Sequence, residues 1–201
     1  MVNTIGVLAL QGDFEAHRAA LARVGAASRE VRRPEELDEV SGLILPGGES
    51  TTLVKLIEDM GLEGPLRSFV RQGRPVLGTC AGAILLASQV EGRDQLCLGA
   101  IDIDVQRNAY GRQRESFEAS SGILMPPSGG PEGGRAVEMV FIRAPRITRV
   151  GTKVTVLGVH RDEPVLVRQG GVLAATYHPE MGRDGTVHRL LVDLTRASAA
   201  A

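Results

Sequence analysis

The hydrophobic pattern of the first half of the chain predicts strands that alternate with helices. Residues 4–10 and 42–45 are short, nearly continuous apolar runs that end in turn residues, as is typical of buried parallel strands. Residues 27–31 and the pair Val76-Leu77 are two further predicted strands. Apolar residues recur at helical spacing within 53–60, before Gly61. This alternation predicts a parallel sheet with helices on both faces.

The second half of the chain has a different pattern, with strand-like runs joined by short connections. These runs cover residues 98–105, 137–142, 154–160, 164–167 and 172–176. They predict antiparallel additions at one edge of the sheet. Residues 121–135, rich in Gly, Pro and Ser, predict a mobile surface loop, and a last helix is expected over about 186–196, before a frayed tail. The predicted fold is α/β: a three-layer α/β/α arrangement with a mainly parallel central sheet and antiparallel edge additions.

Composition narrows the class of protein. The 201 residues contain no internal repeat, so a single domain spanning 1–201 is expected. A net charge of −1 gives no electrostatic footprint for nucleic acid or an anionic membrane. No apolar run approaches the length of about 18 residues that a membrane span needs. Two cysteines in a chain of this size, and an N-terminus without signal-peptide features, favour a cytoplasmic protein.

Gly78-Thr79-Cys80-Ala81-Gly82, between a predicted strand and a predicted helix, is the strongest chemical signal in the sequence. It is the nucleophile-elbow pattern with Cys in place of Ser. The glycines permit a sharp turn, and the following helix directs its N-terminus at the sulfur, which favours the thiolate. We therefore predict that Cys80 is a nucleophile. The alternative is a small core residue, and we assign no chemistry to Cys97.

A thiolate nucleophile needs a general base and a group that orients the base. His178-Pro179-Glu180 supplies both, because proline favours an extended His178 and residues two apart in an extended segment point to the same side. The alternative is an exposed surface turn. The other histidines have no comparable neighbouring residues in the sequence. His17 is assigned to the packing face of a helix or to the surface, and His160 and His188 are assigned structural roles. We expect no metal site and no cofactor.

Pro46-Gly47-Gly48-Glu49-Ser50 is a third candidate constellation. The backbone N–H of Gly48, together with that of Ala81, can form an oxyanion hole for acyl transfer. A glycine turn can also reorient at little steric cost, so this segment is a suitable switch for a docked partner. The alternative is an ordinary strand-to-helix turn with Ser50 as the N-cap.

Taken together, these motifs resemble class I, triad-type glutamine amidotransferases, and one subgroup in particular: the glutaminase subunit of pyridoxal 5′-phosphate synthase. The resemblance covers nearly the whole chain. It is carried by Leu10-Gln11-Gly12, Leu-Ile-Leu-Pro-Gly-Gly-Glu-Ser-Thr-Thr at 43–52, Gly-Thr-Cys-Ala-Gly at 78–82, Arg107-Asn108, Gly111-Arg112-Gln113, Ser116-Phe117-Glu118, Phe-Ile-Arg-Ala-Pro at 141–145, and His178-Pro179-Glu180. The stretch 121–135 is longer and richer in Gly and Pro than expected of the family.

The resemblance implies hydrolysis of L-glutamine to glutamate and ammonia, and transfer of the ammonia to a lyase subunit that builds pyridoxal 5′-phosphate. It also implies a set of glutamine contacts: Gly48, Glu49, Ser50, Arg107, Ile142 and Arg143. A zwitterionic amino acid requires an anionic partner for its amine and cationic donors for its carboxylate, which this set contains.

Other functions remain open at this point. A glutaminase that serves another acceptor, as in imidazole glycerol phosphate synthase, uses the same triad, although the subgroup motifs argue against it. A cysteine hydrolase or deglycase of similar fold usually lacks the His-Pro-Glu arrangement. A non-catalytic glutamine-binding regulatory module has no physical need for Cys80, His178 and Glu180 together.

Overall fold

The computed structural model describes residues 3–92, 94–107, 117–124 and 134–199. The strands are β1 (Thr4–Leu8), β2 (Ala27–Val31), β3 (Gly42–Leu45), β4 (Val76–Thr79), β5 (Ala87–Val90), β6 (Ile101–Gln106), β7 (Phe117–Leu124), β8 (Arg135–Phe141), β9 (Arg146–Val150), β10 (Thr155–His160), β11 (Glu163–Gln169) and β12 (Val172–Ala175). The helices are α1 (Phe14–Arg23), α2 (Ser50–Asp59), α3 (Glu63–Arg71), α4 (Ala81–Leu86) and α5 (Thr186–Ala199), with a 3₁₀ helix at Pro34–Glu39.

A nine-stranded sheet forms the centre of the molecule, in the order β2-β1-β3-β4-β12-β11-β10-β7-β8. The first five strands are parallel neighbours, and the remaining four continue the sheet with antiparallel pairs. The predicted mainly parallel sheet with antiparallel edge additions is therefore confirmed. Because β4 and β12 are adjacent and parallel, the segments that follow them meet at one edge of the sheet.

The two faces of the sheet carry separate apolar layers. Leu43 and Leu45 of β3 pack with residues of α2, α3 and α4, whereas Ile44 packs on the other face with residues of α1 and α5. This division follows from the alternation of side chains along a strand. The helices on the two faces complete the predicted three layers.

A second, three-stranded sheet, in the order β5-β6-β9, was not predicted as a separate unit. The predicted strand 98–105 corresponds to β6, but it pairs with β5 and β9 and not with the central sheet. β5 was missed because it follows α4 without a break, so the apolar run from Ala83 appeared to continue as a helix.

Two predictions for the second half of the chain need correction. Within 121–135, residues 121–124 end β7 and Arg135 begins β8, because antiparallel pairing with β8 overrides the low strand propensity of Ser121 and Gly122. Residues 125–133 lie outside the described residues. The last helix extends to Ala199, where a frayed tail was expected. Among the described residues, no helix is long and apolar enough to cross a membrane.

Candidate active site

Cys80 lies where β4 ends, beside the end of β12. Thr79 pairs with Ala175 in register, and the backbone N–H of Cys80 donates to the carbonyl of Ala175 at 2.9 Å. His178 follows β12 three residues later. The sheet thus brings the predicted nucleophile and base to the same carboxyl edge, where sites in α/β sheets form.

The turn at Cys80 is strained, as a nucleophile elbow requires. Cys80 has φ 47° and ψ −103°, a conformation that side-chain-bearing residues rarely adopt. The flanking glycines are required by close packing, since a Cβ at Gly82 would lie 1.9 Å from the carbonyl oxygen of Leu45. A Cβ at Gly78 would lie 2.5 Å from the carbonyl oxygen of Gly82. Close packing therefore requires glycine at both positions of the motif.

His178 and Glu180 form a buried pair next to the elbow. Nδ1 of His178 lies 2.7 Å from Oε1 of Glu180, and the two residues are each 3% exposed. Burial lowers the pKa of His178, but interactions with the Cys80 sulfur and the Glu180 carboxylate outweigh burial and raise this pKa to about 10. Nε2 makes no hydrogen bond of normal geometry to a described residue. It is the ring nitrogen left for the sulfur.

Asp13, at the N-cap position of α1, takes part in the same cluster. It makes no side-chain cap hydrogen bond to α1; its Oδ2 lies 3.6 Å from Nδ1 of His178. One ligand atom from each of Asp13, His178 and Glu180 falls within 4.8 Å of the other two, a spacing that can hold a metal ion. The shortest contact in this cluster, between Nδ1 of His178 and Oε1 of Glu180, is explained by a hydrogen bond without a metal ion.

An open cavity of about 570 Å³, counted to include its mouth, lies above Cys80. All the residues predicted to contact glutamine line it: Gly48, Glu49, Ser50, Arg107, Ile142 and Arg143, together with Cys80, Ala81 and His178. Asp13 and Ile84 also line it and were not predicted. Asn108, Gly111-Arg112-Gln113 and Ser116 lie outside the described residues.

The model of the SNO glutamine amidotransferase family matches residues 7–196. The chain belongs to this family. Relatives named pyridoxal 5′-phosphate synthase subunit PdxT include one from Koribacter versatilis, 55% identical over 96% of this chain and 95% of the relative. Another, from Streptomyces coelicolor, is 53% identical over 98% of this chain and 96% of the relative.

Solved structures agree with this assignment. A crystal structure of a glutamine amidotransferase matches with 46% identity and a TM-score of 0.86, covering 96% of this chain and 98% of the other. A structure of PurLQS from Thermotoga maritima has a TM-score of 0.73 over 96% of this chain and 99% of the other. At 16% identity, this second match shows the fold alone.

In this member of the SNO glutamine amidotransferase family, Glu49 both lines the cavity and caps α2. Its carboxylate accepts hydrogen bonds from the backbone N–H groups of Thr51 and Thr52, so Glu49 is the N-cap where Ser50 had been the alternative. The hydrogen bond from Thr52 is the main cause that lowers the pKa of Glu49 to about 2. Arg107 approaches the carboxylate at 3.5 Å. Glu49 is therefore a fixed negative charge beside a cation.

The turn predicted for the oxyanion hole packs against the triad. A Cβ at Gly47 would lie 2.5 Å from Cε1 of His178, and the N–H of Gly47 donates to Oγ1 of Thr79 at 3.0 Å. Gly48 has φ 145° and lies against the side-chain amide of Gln11. That amide makes two long hydrogen bonds, of 3.3 and 3.4 Å, to the backbone of Glu49. The turn is thus held on one side by Thr79 and on the other by Gln11.

A second segment of the cavity lining, Ile142-Arg143, also has an unusual backbone conformation. Arg143 is exposed and has φ 47°, and the carbonyl oxygen of Ile142 lies 3.8 Å from Sγ of Cys80. Such backbone strain concentrates at functional sites.

His17 was also missed as part of this site. It is fully buried, and its Nε2 lies 3.3 Å from Oε2 of Glu180. Asp13 and His17, four residues apart, follow β1 at the carboxyl edge that also carries Cys80, but this spacing does not identify Glu180 or His188 as a partner of His17.

Proposed function

We propose that this chain is the glutaminase subunit of a pyridoxal 5′-phosphate synthase, with Cys80, His178 and Glu180 as its catalytic triad. It hydrolyses L-glutamine to L-glutamate and ammonia and works with a synthase subunit that consumes the ammonia. The observation that carries the triad assignment is the placement of Cys80, on a strained elbow, at the same sheet edge as the buried His178–Glu180 pair.

The proposed first half-reaction is acyl transfer to sulfur. The Cys80 thiolate attacks the side-chain amide carbon of glutamine, and the N–H groups of Gly48 and Ala81 stabilise the oxyanion of the tetrahedral intermediate. The imidazolium of His178 donates its proton to the leaving nitrogen. The C–N bond breaks, ammonia departs and a γ-glutamyl thioester remains on Cys80.

The second half-reaction is hydrolysis of the thioester. Neutral His178 takes a proton from water, and the hydroxide attacks the thioester carbon. Collapse of the second tetrahedral intermediate breaks the C–S bond, releases glutamate and restores the thiolate–imidazolium pair. Glu180 holds the imidazole in one orientation throughout, as the third member of a triad does.

The cavity lining supports recognition of a free amino acid. Arg107 and Arg143 can face the α-carboxylate, while Glu49, kept anionic by its capping hydrogen bonds, can face the α-ammonium group. Replacing Arg143 by Ala is expected to raise KM for glutamine more than it lowers kcat, since its guanidinium contacts the substrate away from the reacting carbon.

The whole chain, residues 1–201, is proposed to fold as a single domain in the cytoplasm. One sheet carries both apolar layers, which supports one cooperative unit, and the cysteines are free, which suits a reducing compartment. A single unfolding transition seen by both circular dichroism and fluorescence of a surface label tests the first statement. Cell fractionation tests the second.

The decisive experiment measures glutamate release from glutamine, with and without the synthase subunit, and pyridoxal 5′-phosphate formation in the same mixture. Glutamine should replace added ammonium salt as nitrogen source only when this chain is present. Glutamate release that supports no pyridoxal 5′-phosphate formation would point instead to another ammonia acceptor. No glutamate release in the complex would contradict the proposed function altogether.

A further inference from the structure

Two buried histidines lie beside Glu180 and are not part of the cavity lining. His17 of α1 and His188 of α5 each have an exposed fraction of 0%. Nδ1 of His17 lies 3.0 Å from Nε2 of His188, a hydrogen bond that joins two helices 171 residues apart in sequence. The proposed reaction uses neither residue as acid, base or nucleophile.

The second nitrogen of His17 faces the triad. Nε2 lies 3.0 Å from Oγ1 of Thr79 and 3.3 Å from Oε2 of Glu180. Oε1 of Glu180 is engaged by His178, whereas Oε2 has no hydrogen bond of full geometry to a described residue. Nε2 of His17 is therefore the group placed to satisfy a buried carboxylate oxygen, which is costly to leave unpaired.

The geometry selects one arrangement of protons. A lone pair on Nε2 of His17 would face the carboxylate and repel it, so Nε2 carries the hydrogen and Nδ1 is the acceptor. Nε2 of His188 then donates to Nδ1 of His17. Nδ1 of His188, which has no hydrogen-bond partner among the described residues, is left as an unpaired acceptor, which costs less than an unpaired donor. In this arrangement the N–H of His188 points to His17, and the N–H of His17 lies between the Thr79 hydroxyl at 3.0 Å and Oε2 of Glu180 at 3.3 Å.

Both imidazoles are neutral at physiological pH. Burial, with smaller contributions from His188 and His178, lowers the pKa of His17 well below its ordinary value. Burial, with a contribution from Arg23, lowers the pKa of His188 to about 4. A neutral pair can donate to Glu180 without adding a positive charge that would compete with the His178 imidazolium.

We propose that His17, backed by His188, is a positioning residue that fixes Oε2 of Glu180, so that Oε1 stays aligned with the catalytic His178. The inference rests on the proposed glutaminase function. His17 touches neither substrate nor the reacting sulfur; it acts through Glu180. The same nitrogen reaches Thr79, whose hydroxyl accepts from the N–H of Gly47, so one buried group connects the base to the turn proposed for the oxyanion hole.

The test compares two substitutions that place a side-chain amide at position 17. The amide nitrogen of Gln reaches about as far as Nε2 of His, whereas that of Asn reaches only about as far as Nδ1. His17→Gln should therefore retain kcat within about threefold, and His17→Asn should lose about tenfold or more, with KM for glutamine nearly unchanged in both. Equal kcat values for the two variants would overturn the inference.

The pH profile separates positioning from mere packing. Among the described residues, the charged and titratable groups around Glu180 and His178 include Cys80, Asp13, His17, His188, the buried Tyr177, and Arg23, whose guanidinium binds the carbonyl oxygen of Glu180. When Glu180 is no longer held, His178 loses part of the interaction that keeps it protonated. The alkaline limb of kcat/KM should then move to lower pH in His17→Asn and in His188→Leu. An unmoved limb in both would overturn the inference.

Thr195→Val is the matched control. Thr195 is also buried on α5, seven residues after His188, and its hydroxyl makes two 2.7 Å hydrogen bonds, with Asn3 and the carbonyl of Val192. The substitution should lower stability and leave kcat and the pH profile unchanged. The wild-type protein is assayed in the same complex with the synthase subunit. If the wild type is inactive, the proposed function is refuted. If the wild type is active but the position-17 variants have unchanged kcat and pH profiles, only this inference is refuted.

Discussion

The two cysteines lie in contrasting surroundings, and the comparison shows what makes a thiol reactive. Cys80 is 5% exposed, sits at φ 47° and adjoins a protonatable imidazole. Cys97 is partly exposed, and its sulfur lies 3.9 Å from the carbonyl oxygen of Ile84. Burial is the main cause that raises the pKa of Cys97, against a smaller opposite effect from Arg67. Among the described residues, the more accessible thiol is the one without an adjacent imidazole. We therefore expect the reactivity of these thiols to depend on the partner and not on exposure.

The largest expected effect is loss of the nucleophile. Cys80→Ala should lower kcat for glutamine hydrolysis by about 10⁴-fold or more, because no other strong nucleophile lines the described cavity. Cys97→Ala should leave kcat within about twofold. Steady-state glutamate release measures both, with circular dichroism to show that each variant is folded. Continued glutamine hydrolysis by the Cys80→Ala variant would contradict the proposed difference between Cys80 and Cys97.

The base should matter nearly as much as the nucleophile. His178→Asn is expected to be almost as damaging as Cys80→Ala, and Glu180→Gln less so, since an orienting carboxylate usually contributes less than the base. The Cys80→Ala/His178→Asn double variant should be no worse than the worse single variant. Losses that simply multiply in kcat would show that the two residues do not act as one unit.

Stability should depend on pH in opposite directions on the two sides of the triad. His188, with its pKa lowered to about 4, contributes stability above pH 6.5 that is lost as the pH falls. His178, with its pKa raised to about 10, contributes stability below pH 6.5 that is lost as the pH rises. Urea unfolding should therefore give maximal stability near pH 6.5, with about 2 kcal/mol lost by pH 4.5 through His188.

The His188→Gln variant is the control for the acid side, because glutamine does not titrate. Its unfolding free energy should change less between pH 6.5 and pH 4.5 than that of the wild type. An identical acid slope in the two proteins would assign the loss to other groups.

The smallest effect concerns the partner. Protonated ammonia is a poor nucleophile, so an amidotransferase benefits from releasing ammonia next to the acceptor site. Hydrolysis of glutamine in the absence of an acceptor wastes glutamine. The two long hydrogen bonds between the Gln11 amide and the backbone of Glu49 hold the turn of Gly48 loosely, which suits a turn that is reordered on docking. We expect the synthase subunit to raise kcat at least about tenfold, or about 1.4 kcal/mol. Equal turnover with and without the partner would rule out gating by docking.

Local patterns predicted the placement of the three residues of the proposed triad and much of the sheet. β2 and β3 have the predicted bounds, and the glycine elbow placed Cys80 after β4 because close packing at Gly78 and Gly82 leaves a recognisable signature. The His-Pro-Glu motif similarly placed Glu180 on the imidazole, since an extended segment fixes the relation of residues two apart.

Long-range relations were not predictable in the same way. His17 meets Glu180 and His188 only after α1 and α5 pack on the same face of the sheet, and no local pattern encodes that contact. N-cap preference suggested Ser50 as the alternative cap of α2, but the longer Glu49 side chain reaches two N–H groups at once. The β5-β6-β9 sheet depends on pairing between distant segments.

The central claim, that Cys80 is the nucleophile for glutamine and Cys97 is not, is tested most directly by covalent labelling. The complex with the synthase subunit is incubated with a glutamine-like electrophile, with and without excess glutamine, and digested for peptide mass analysis. The account predicts one label per chain, on the peptide containing Cys80, formed at the rate at which activity is lost and suppressed by glutamine. Labelling of Cys97, or full inactivation with Cys80 unmodified, would contradict it.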